Sequence, residues 1–281
     1  MRMKTQLFFG ALAYSLSLLS TEVQAGTPAC TSLKERSAER DEVVVFSEDF
    51  DQKSRIPDSE YWSFIPAGAP AWQKHMSESV REASVKKGKL ILRARKKNGI
   101  YRCGGIWSLG KIAFGPGHRI EVGARFGRLA PGAWPAIWLM PEKPIYPGWP
   151  ACGEIDIMEM GEQSGMAAGD SEKQVNTAIH YGPSAAAHEQ QYYKANVANS
   201  LQDGNYHTYS LDWDENNLTI SIDNVKFHTF DISSNTYFHD NFYILFNLAV
   251  GGAFTGITDI NKLTGLKDGQ KVKMYIDWVK T

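Results

Sequence analysis

Three of the four carboxylates in the segment GEIDIMEMGE, residues 153–162, lie close together: Glu154, Asp156 and Glu159. Side chains alternate faces along a β-strand, so Glu154 and Asp156 share one face while Glu159 points to the other. One extra residue near Ile157-Met158 would form a bulge and return Glu159 to the face of its two neighbours. The spacing therefore predicts a bulged strand that carries a row of three carboxylates.

Such a row could hydrolyse a glycosidic bond. Burying several carboxylates together costs several kcal/mol unless they are solvated, paired or used chemically. A retaining glycosidase needs two carboxyl groups about 5–5.5 Å apart, one as nucleophile and one as acid/base. Four effective strand steps separate the backbones of Glu154 and Glu159 by about 13 Å, so their side chains would have to lean together on a concave sheet. Asp156 between them could hydrogen-bond the nucleophile and separate the two pKa values.

Two other interpretations of the row stay open at this point. A metal cluster would need further ligands, and the adjacent sequence adds Glu162. Alternatively, the acids could form the solvated face of an exposed strand. The spacing does not decide which glutamate is the nucleophile.

The elements around the acidic strand have the pattern of an all-β protein. Ile120, Val122, Ala124 and Phe126 alternate with polar residues, as in a half-buried strand. Asp223-Asn224 is a two-residue hairpin signal. Other strand-like runs are KLIL, QVNTAIHY, HTYSLDW, LTISI, VKFHTF, FYILFNLAV and MYIDWV.

FYILFNLAV is apolar along its length, which suits a central strand. No long amphipathic helix or internal repeat is evident, so a single all-β sandwich or barrel is predicted. The polar stretches 161–174 and 182–204 are predicted to be surface loops that border a binding site.

Composition narrows the class of protein. The chain has 281 residues, of which 43% are hydrophobic and 22% charged, as in ordinary globular proteins. Its formal net charge is −1, without a run of like charges, which argues against nucleic-acid binding. Eight tryptophans suit a carbohydrate cleft but also a large core.

The N-terminus has the pattern of a secretory signal peptide. Arg2 and Lys4 precede an apolar run, residues 7–19, and Val23-Gln24-Ala25 offers a small-residue cleavage site. We therefore expect an exported protein, located in the periplasm, outside the cell or on its surface, without a membrane span. The predicted organisation is a signal peptide (1–25), a polar leader (26–41) and one domain (42–281).

Three cysteines cannot all pair within one chain. Cys103 and Cys152 are predicted to be buried free thiols, although export would permit a disulfide. Cys30 lies well beyond the apolar run in a poor match to a lipid-anchor motif, so lipidation is the less favoured interpretation.

CGEIDIME, residues 152–159, resembles the ExDxxE signature of glycoside hydrolase family 16, in particular its laminarinase-like branch. The resemblance covers residues 42–281, because further segments follow in the family's order. These segments are AWPAIWLMP, WPACGEIDIME, YHTYSLDW, FNLAVGG and YIDWVK.

The resemblance implies a β-jelly roll of two curved antiparallel sheets with a concave substrate cleft. It also implies that Glu154 is the nucleophile, Glu159 the acid/base and Asp156 the assisting carboxylate. The expected reaction is retaining, endo-acting hydrolysis of a β-linked polysaccharide by a monomer that needs no cofactor for catalysis.

Substrate contacts are expected from Trp107, Trp134, Trp138, Trp149, His180 and Asn247. The resemblance implies those of Trp134, Trp138, His180 and Asn247, whereas Trp149 lies in the loop before the catalytic strand and Trp107 departs from the family pattern. Trp134 is expected to stack on a sugar ring, whereas Trp138 could equally be core and His180 could equally be structural. Tyr146, near Trp149, is expected to line the cleft, and Trp213 and Trp278 are expected in the core.

A structural Ca²⁺ on the convex side is a further implication of the resemblance. The matching positions are Asp49, Gly88 and Asp277, where carbonyl oxygens and one carboxylate would suit a hard cation. Asp277 could instead simply cap a strand end.

One departure from the laminarinase pattern bears on specificity. The run YRCGGIW places Gly105 where that branch usually has an arginine, and Trp107 follows closely. Loss of a charged sugar contact and gain of an aromatic ring predict altered subsites. The substrates expected are β-1,3- or mixed-linkage glucan. The alternatives are an endo-β-galactosidase on galactans or poly-N-acetyllactosamine of mucin-type glycans, and a non-catalytic carbohydrate-binding sandwich.

Overall fold

The computed structural model describes residues 43–142 and 148–281. The predicted signal peptide and leader, Cys30 and Tyr146 lie outside the described residues. Within those ranges the chain forms fifteen strands, one α-helix and three 3₁₀ turns. The strands are β1 Ser47–Glu48, β2 Ser63–Phe64, β3 Ala83–Val85, β4 Leu90–Lys97, β5 Ile100–Trp107, β6 His118–Phe126, β7 Ala133–Pro141, β8 Glu154–Glu159, β9 Gln174–Tyr181, β10 Glu189–Asn196, β11 His207–Trp213, β12 Asn217–Ile222, β13 Val225–Asp231, β14 Phe242–Val250 and β15 Lys271–Lys280. The helix is α1 Gln163–Ala168, and the turns are Ala185–Ala187, Thr236–Phe238 and Ile260–Lys262.

The strands form two curved antiparallel layers joined through β5, in the order β10-β9-β8-β7-β14-β5-β4-β15-β6-β11-β12-β13. The first half of β5 pairs with β4, and the second half pairs with β14. Gly104 lies at the crossover, where an added Cβ would come within 2.2 Å of the Glu82 carbonyl oxygen. The predicted all-β jelly-roll sandwich is therefore confirmed.

The core lies between the two layers and follows the alternation read from the sequence. Ile120, Val122, Ala124 and Phe126 of β6 are all fully buried. Every residue of β14 is buried, because the strand is central and pairs with β7 and β5. Burial of each large apolar side chain contributes about 1.5–3 kcal/mol, so β14 anchors the layer that carries the acidic strand.

Local predictions on either side of the core also hold. The two turn residues between β12 and β13, Asp223 and Asn224, have φ angles of 52° and 63°, as a two-residue hairpin requires. Cys103 and Cys152 are buried free thiols, as predicted. The described residues contain no helix long and apolar enough to cross a membrane.

Three expectations were wrong. The stretch 161–174, predicted as a surface loop, contains the short helix α1. The stretch 182–204, predicted as a surface loop, contains the strand β10. Because β10 is an edge strand with one face toward the cleft, its sequence is polar and lacks the apolar alternation that marks a strand. Trp213 is in the core, but Trp278 is half-buried, because the register of β15 against β6 shifts at Asp277. The Trp278 ring instead covers Gly123, where an added Cβ would lie 2.5 Å from Nε1.

Candidate active site

The acidic strand β8 is bulged as its spacing predicts. Asp156 pairs with Trp138 of β7, whereas Met158 pairs with Ile137, so Ile157 is the extra residue. On its other side β8 pairs with β9, and the register of this pairing also shifts between Asp156 and Glu159 of β8. The bulge thus separates the apolar side chains, which are buried, from the carboxylates on the concave face.

A cleft of about 930 Å³ lies over this face, and Glu154 and Glu159 both line it. Asp156 lies between them and is only 3% exposed. Six neighbouring strands, β10 to β5 in the sheet order, form the layer beneath the cleft. At the usual inter-strand spacing they span roughly 24 Å, which suits an extended ligand.

Aromatic side chains dominate the rest of the lining: Trp72, Trp107, Trp134, Trp138, Trp149, Tyr192, Tyr243 and Phe254. Trp72 packs edge-on against Trp138, with ring centroids 4.8 Å apart. Phe254 stacks on Trp134 at 4.9 Å. Trp72, Tyr192, Tyr243 and Phe254 were not singled out from the sequence. Tyr243 lies in the apolar run of β14, and the other three come from irregular segments and from an edge strand without apolar periodicity.

Burial raises the pKa of Glu154 well above its ordinary value, and the charge of Asp156 adds to that rise. His180 and the indole N–H of Trp149 act in the opposite direction, because both stabilise the ionised carboxylate. Burial also raises the pKa of Asp156.

Burial raises the pKa of Glu159 to about 8, again with a contribution from Asp156. The indole N–H of Trp134 donates to Glu159 Oε1 at 2.7 Å and partly offsets the rise. Glu159 can therefore hold a proton at neutral pH, as a general acid must. The pKa of Glu154 is raised as well, and each glutamate has His180 and one indole N–H that favour its charged form.

His180 lies opposite Glu154 on β9. Its Nε2 atom is 3.2 Å from Asp156 Oδ2 and 3.9 Å from Glu154 Oε1. The 3.2 Å contact is off the direction of a hydrogen bond, and Asp156 Oδ2 has no other partner in the described residues. Glu154, Asp156 and His180 each offer one ligand atom, and these atoms lie within 4.8 Å of one another, so they could also hold a metal ion. Such an ion would compete with acid–base chemistry at the same carboxylates.

The structure brings most of the predicted substrate residues together. Trp107, Trp134, Trp138, Trp149 and His180 all line the cleft. Asn247 lies on the concave side but is only 1% exposed, and its Oδ1 accepts a hydrogen bond from Trp138 Nε1 at 2.7 Å. Asn247 therefore lies beneath Trp138, and its hydrogen bond fixes the orientation of the Trp138 ring, which lines the cleft.

The glycine at position 105 has a steric explanation. An added Cβ would lie 2.8 Å from Ile65 Cδ1 and 3.0 Å from the Phe246 carbonyl oxygen. A larger side chain there would require Ile65 and the backbone of β14 to shift. Trp107, two residues further along β5, provides the cleft surface instead.

Asp277, one of the residues predicted to bind calcium, is paired with a lysine side chain. Lys89 Nζ donates to Asp277 Oδ1 at 2.5 Å, and this hydrogen bond raises the pKa of Lys89. A Ca²⁺ ion ligated by Asp277 would have to displace the ammonium group. With the lysine in place, Asp277 is not available to a Ca²⁺ ion, so the predicted set Asp49, Gly88 and Asp277 does not fit a calcium site.

The chain is similar to several known carbohydrate-active proteins. The sequence profile of glycosyl hydrolases family 16 matches residues 71–280. A Bacteroides ovatus mixed-linkage glucan family 16 protein, solved with a G4G4G3G product, is 66% identical, with a TM-score of 0.76 over 84% of this chain and 98% of that chain. The Rhodothermus marinus β-glucanase is 29% identical over 237 residues, 76% of this chain and 77% of its own length.

The keratan-sulfate endo-1,4-β-galactosidase of Sphingobacterium multivorum is 31% identical over 234 residues, 78% of this chain. This match spans 51% of that enzyme, so the chain covers about half of its length. The profile match extends over β8 and its bulge, over the cleft-forming strands β7, β9 and β14, and over the closing strand β15. The chain therefore belongs to glycosyl hydrolases family 16.

Proposed function

We propose that the protein is a retaining endo-β-glycanase whose substrate is mixed-linkage β-1,3/1,4-glucan. The observation that carries the proposal is the bulge at Ile157, which puts Glu154 and Glu159 on one cleft wall with Asp156 between them. The 66% identity to the Bacteroides ovatus mixed-linkage glucan protein supports the choice of substrate.

In the first step, Glu159 donates its proton to the glycosidic oxygen while Glu154 attacks the anomeric carbon. The bond from this carbon to the leaving group breaks, and a glycosyl ester to Glu154 forms. The raised pKa of Glu159 suits this role because the carboxyl group still carries its proton at neutral pH.

In the second step, Glu159 is ionised and accepts a proton from water. The water oxygen attacks the anomeric carbon and releases Glu154, so one water is consumed and the configuration is retained. The Trp134 N–H supports this half of the reaction because it stabilises the ionised Glu159.

The aromatic lining supports a sugar-chain substrate, since tryptophan and tyrosine rings offer flat apolar surfaces with a polar edge. A cleft laid across six strands accommodates several sugar units on both sides of the carboxylates. Cleavage within the polymer rather than at its end follows from that length.

Galactose-containing polymers are the second candidate substrate. The keratan-sulfate enzyme favours it, as does a structure described as belonging to endo-acting O-glycanases that initiate mucin breakdown. The latter is 28% identical with a TM-score of 0.69 over 85% of this chain. Its lower identity places it behind the glucan proposal.

A product screen by mass spectrometry tests the function. Purified protein is incubated with mixed-linkage glucan, laminarin, agarose, keratan sulfate and mucin O-glycans. Glu154→Gln serves as the inactive variant, and Glu215→Gln, an exposed carboxylate in the turn between β11 and β12, serves as the matched control. Short oligosaccharides from mixed-linkage glucan support the proposal, and products from galactose polymers alone would replace it with the second candidate. No product from any glycan would favour a binding module.

We also infer export to the periplasm, the cell surface or the medium. The basic, apolar and small-residue order of residues 1–25 supports it. Fractionation of cells that express the full chain, with N-terminal sequencing of the product, tests it. Intact protein confined to the cytosol would contradict it.

A further inference from the structure

A second histidine, His188, lies beside His180 at the edge of the cleft, in the hairpin between β9 and β10. Gly182 has a φ of 121°, and an added Cβ there would lie 2.3 Å from the Ala187 carbonyl oxygen. The Ser184 side chain caps the 3₁₀ turn that follows. This tight loop brings His188 back against His180.

The two histidines share a hydrogen bond. His180 Nδ1 and His188 Nε2 are 2.9 Å apart, and the two rings are nearly parallel with centroids 5.1 Å apart. Trp149 covers His188 at a centroid distance of 4.9 Å. Only one proton fits between the two nitrogens, so the tautomer of one histidine determines that of the other.

The opposite nitrogen of His180 faces the carboxylates. Its Nε2 lies 3.2 Å from Asp156 Oδ2, a buried atom without an aligned hydrogen bond, and 3.9 Å from Glu154 Oε1. A proton on Nε2 attracts both oxygens when they are ionised. A lone pair on Nε2 would repel the ionised carboxylates and would be favourable only if Asp156 carried a proton, which the rise of the Asp156 pKa to about 8 permits at neutral pH.

We propose that His188 is a positioning residue that donates its Nε2–H to His180 Nδ1 and thereby keeps the proton of His180 on Nε2, the nitrogen next to Asp156 and Glu154. Burial and the adjacent His180 lower the pKa of His188, which keeps His188 neutral at neutral pH. The expected effect of His188 on turnover rests on the proposed glycanase function, whereas the tautomer of His180 does not depend on that function.

The test combines NMR with kinetics. Side-chain ¹⁵N spectra of uniformly labelled protein, assigned with His180→Gln and His188→Gln, report which nitrogen of His180 carries the proton. We expect Nε2–H in the wild type. His188→Gln retains an N–H donor and should stay within about twofold of wild-type kcat. His188→Leu loses the donor and should lower kcat by about 3–10-fold at nearly unchanged KM, as expected for one hydrogen bond.

His239→Gln, an exposed histidine at the end of a 3₁₀ turn, is the matched control. A proton on Nδ1 of His180 in the wild type would overturn the proposal, and so would a Leu variant with wild-type kcat. If His188→Leu fails to fold, the wild-type spectrum and the Gln variant still decide. If the wild type cleaves no glycan, the proposed function fails, but the NMR result still decides the role of His188.

Discussion

The indole N–H of Trp134 donates to Oε1 of Glu159 at 2.7 Å, while Phe254 covers one face of the same indole. Trp134 is therefore both a wall of the cleft and a hydrogen-bond partner of the proposed acid/base. The two contributions can be separated by substitution.

Trp134→Phe retains an aromatic ring but removes the N–H. The ionised form of Glu159 loses a charge-assisted hydrogen bond, so its pKa should rise further. We expect kcat to fall about tenfold and the alkaline limb of the rate profile to move to higher pH. Steady-state kinetics between pH 5 and 10 measures both, and an unchanged limb would show that the hydrogen bond does not tune Glu159.

Glu159→Gln and Glu154→Gln should differ in their response to the leaving group. Loss of Glu159 as the acid typically lowers kcat/KM about 10²–10⁴-fold on a natural glycan but little on an aryl glycoside whose leaving group needs no proton. In contrast, kcat should fall on both substrates, because the second step loses its base. Loss of the nucleophile should abolish turnover of both substrates. Rates on mixed-linkage glucan and on a dinitrophenyl glycoside distinguish the two. If Glu154→Gln retained glycoside turnover, Glu154 would not be the nucleophile.

The pH dependence of catalysis follows from the direction of the shift at Glu159. The acid must be protonated to react, and its pKa is raised to about 8, so kcat/KM should fall as pH rises through about 8. Glu159→Gln should lack this alkaline limb in its residual activity. An activity that persists unchanged at pH 9.5 would contradict the assignment.

The same shift affects stability. The pKa of Glu159 is raised from 4.5 to about 8, so the folded protein binds more protons than the unfolded chain between these values. The stability contribution is thus fully present below about pH 4.5 and is lost as pH rises through 8. Relative to wild type, Glu159→Gln should gain more Tm at pH 9 than at pH 5, by about 2–4 °C for each kcal/mol. Equal gains at both values would contradict this expectation.

Lys89 should make the convex side independent of calcium. Its ammonium already neutralises Asp277, so neither EDTA nor Ca²⁺ should change the Tm of the wild type. Lys89→Met leaves Asp277 unpaired and should lower stability by up to about 1 kcal/mol, because the pair is about one-third exposed. Ca²⁺ should then raise the Tm of the variant. Lys111→Met is the control, because Lys111 is half-buried and donates to the Ser59 carbonyl oxygen rather than to a carboxylate. A wild-type Tm that rises with Ca²⁺ would show that the ion displaces Lys89.

The central chemistry could be predicted from the sequence because it depends on periodicity. The alternation in GEIDIMEM requires a bulge for all three acids to share a face, and β8 has that bulge at Ile157. The apolar run of β14 and the Asp223-Asn224 hairpin are equally local signals.

The features that escaped prediction depend on tertiary contacts. β10 has no apolar face because one side meets the cleft, so its sequence resembles a loop. The exposure of Trp278 depends on a register shift against Gly123, and the burial of Asn247 depends on Trp138. The pairing of His180 with His188 required knowledge of how a seven-residue hairpin loop closes.

The passage of β5 between the two layers has a consequence for unfolding. One end of this strand is hydrogen-bonded to β4 of the convex layer and the other end to β14 of the cleft layer. Neither layer can unfold fully without breaking hydrogen bonds between β5 and the other layer. We therefore expect both layers to unfold in a single cooperative transition. Amide protons at 103–106 should then exchange only when the whole domain unfolds. Substitutions that stabilise the convex layer should therefore also protect the cleft against heat, without any change to the residues that meet the sugar.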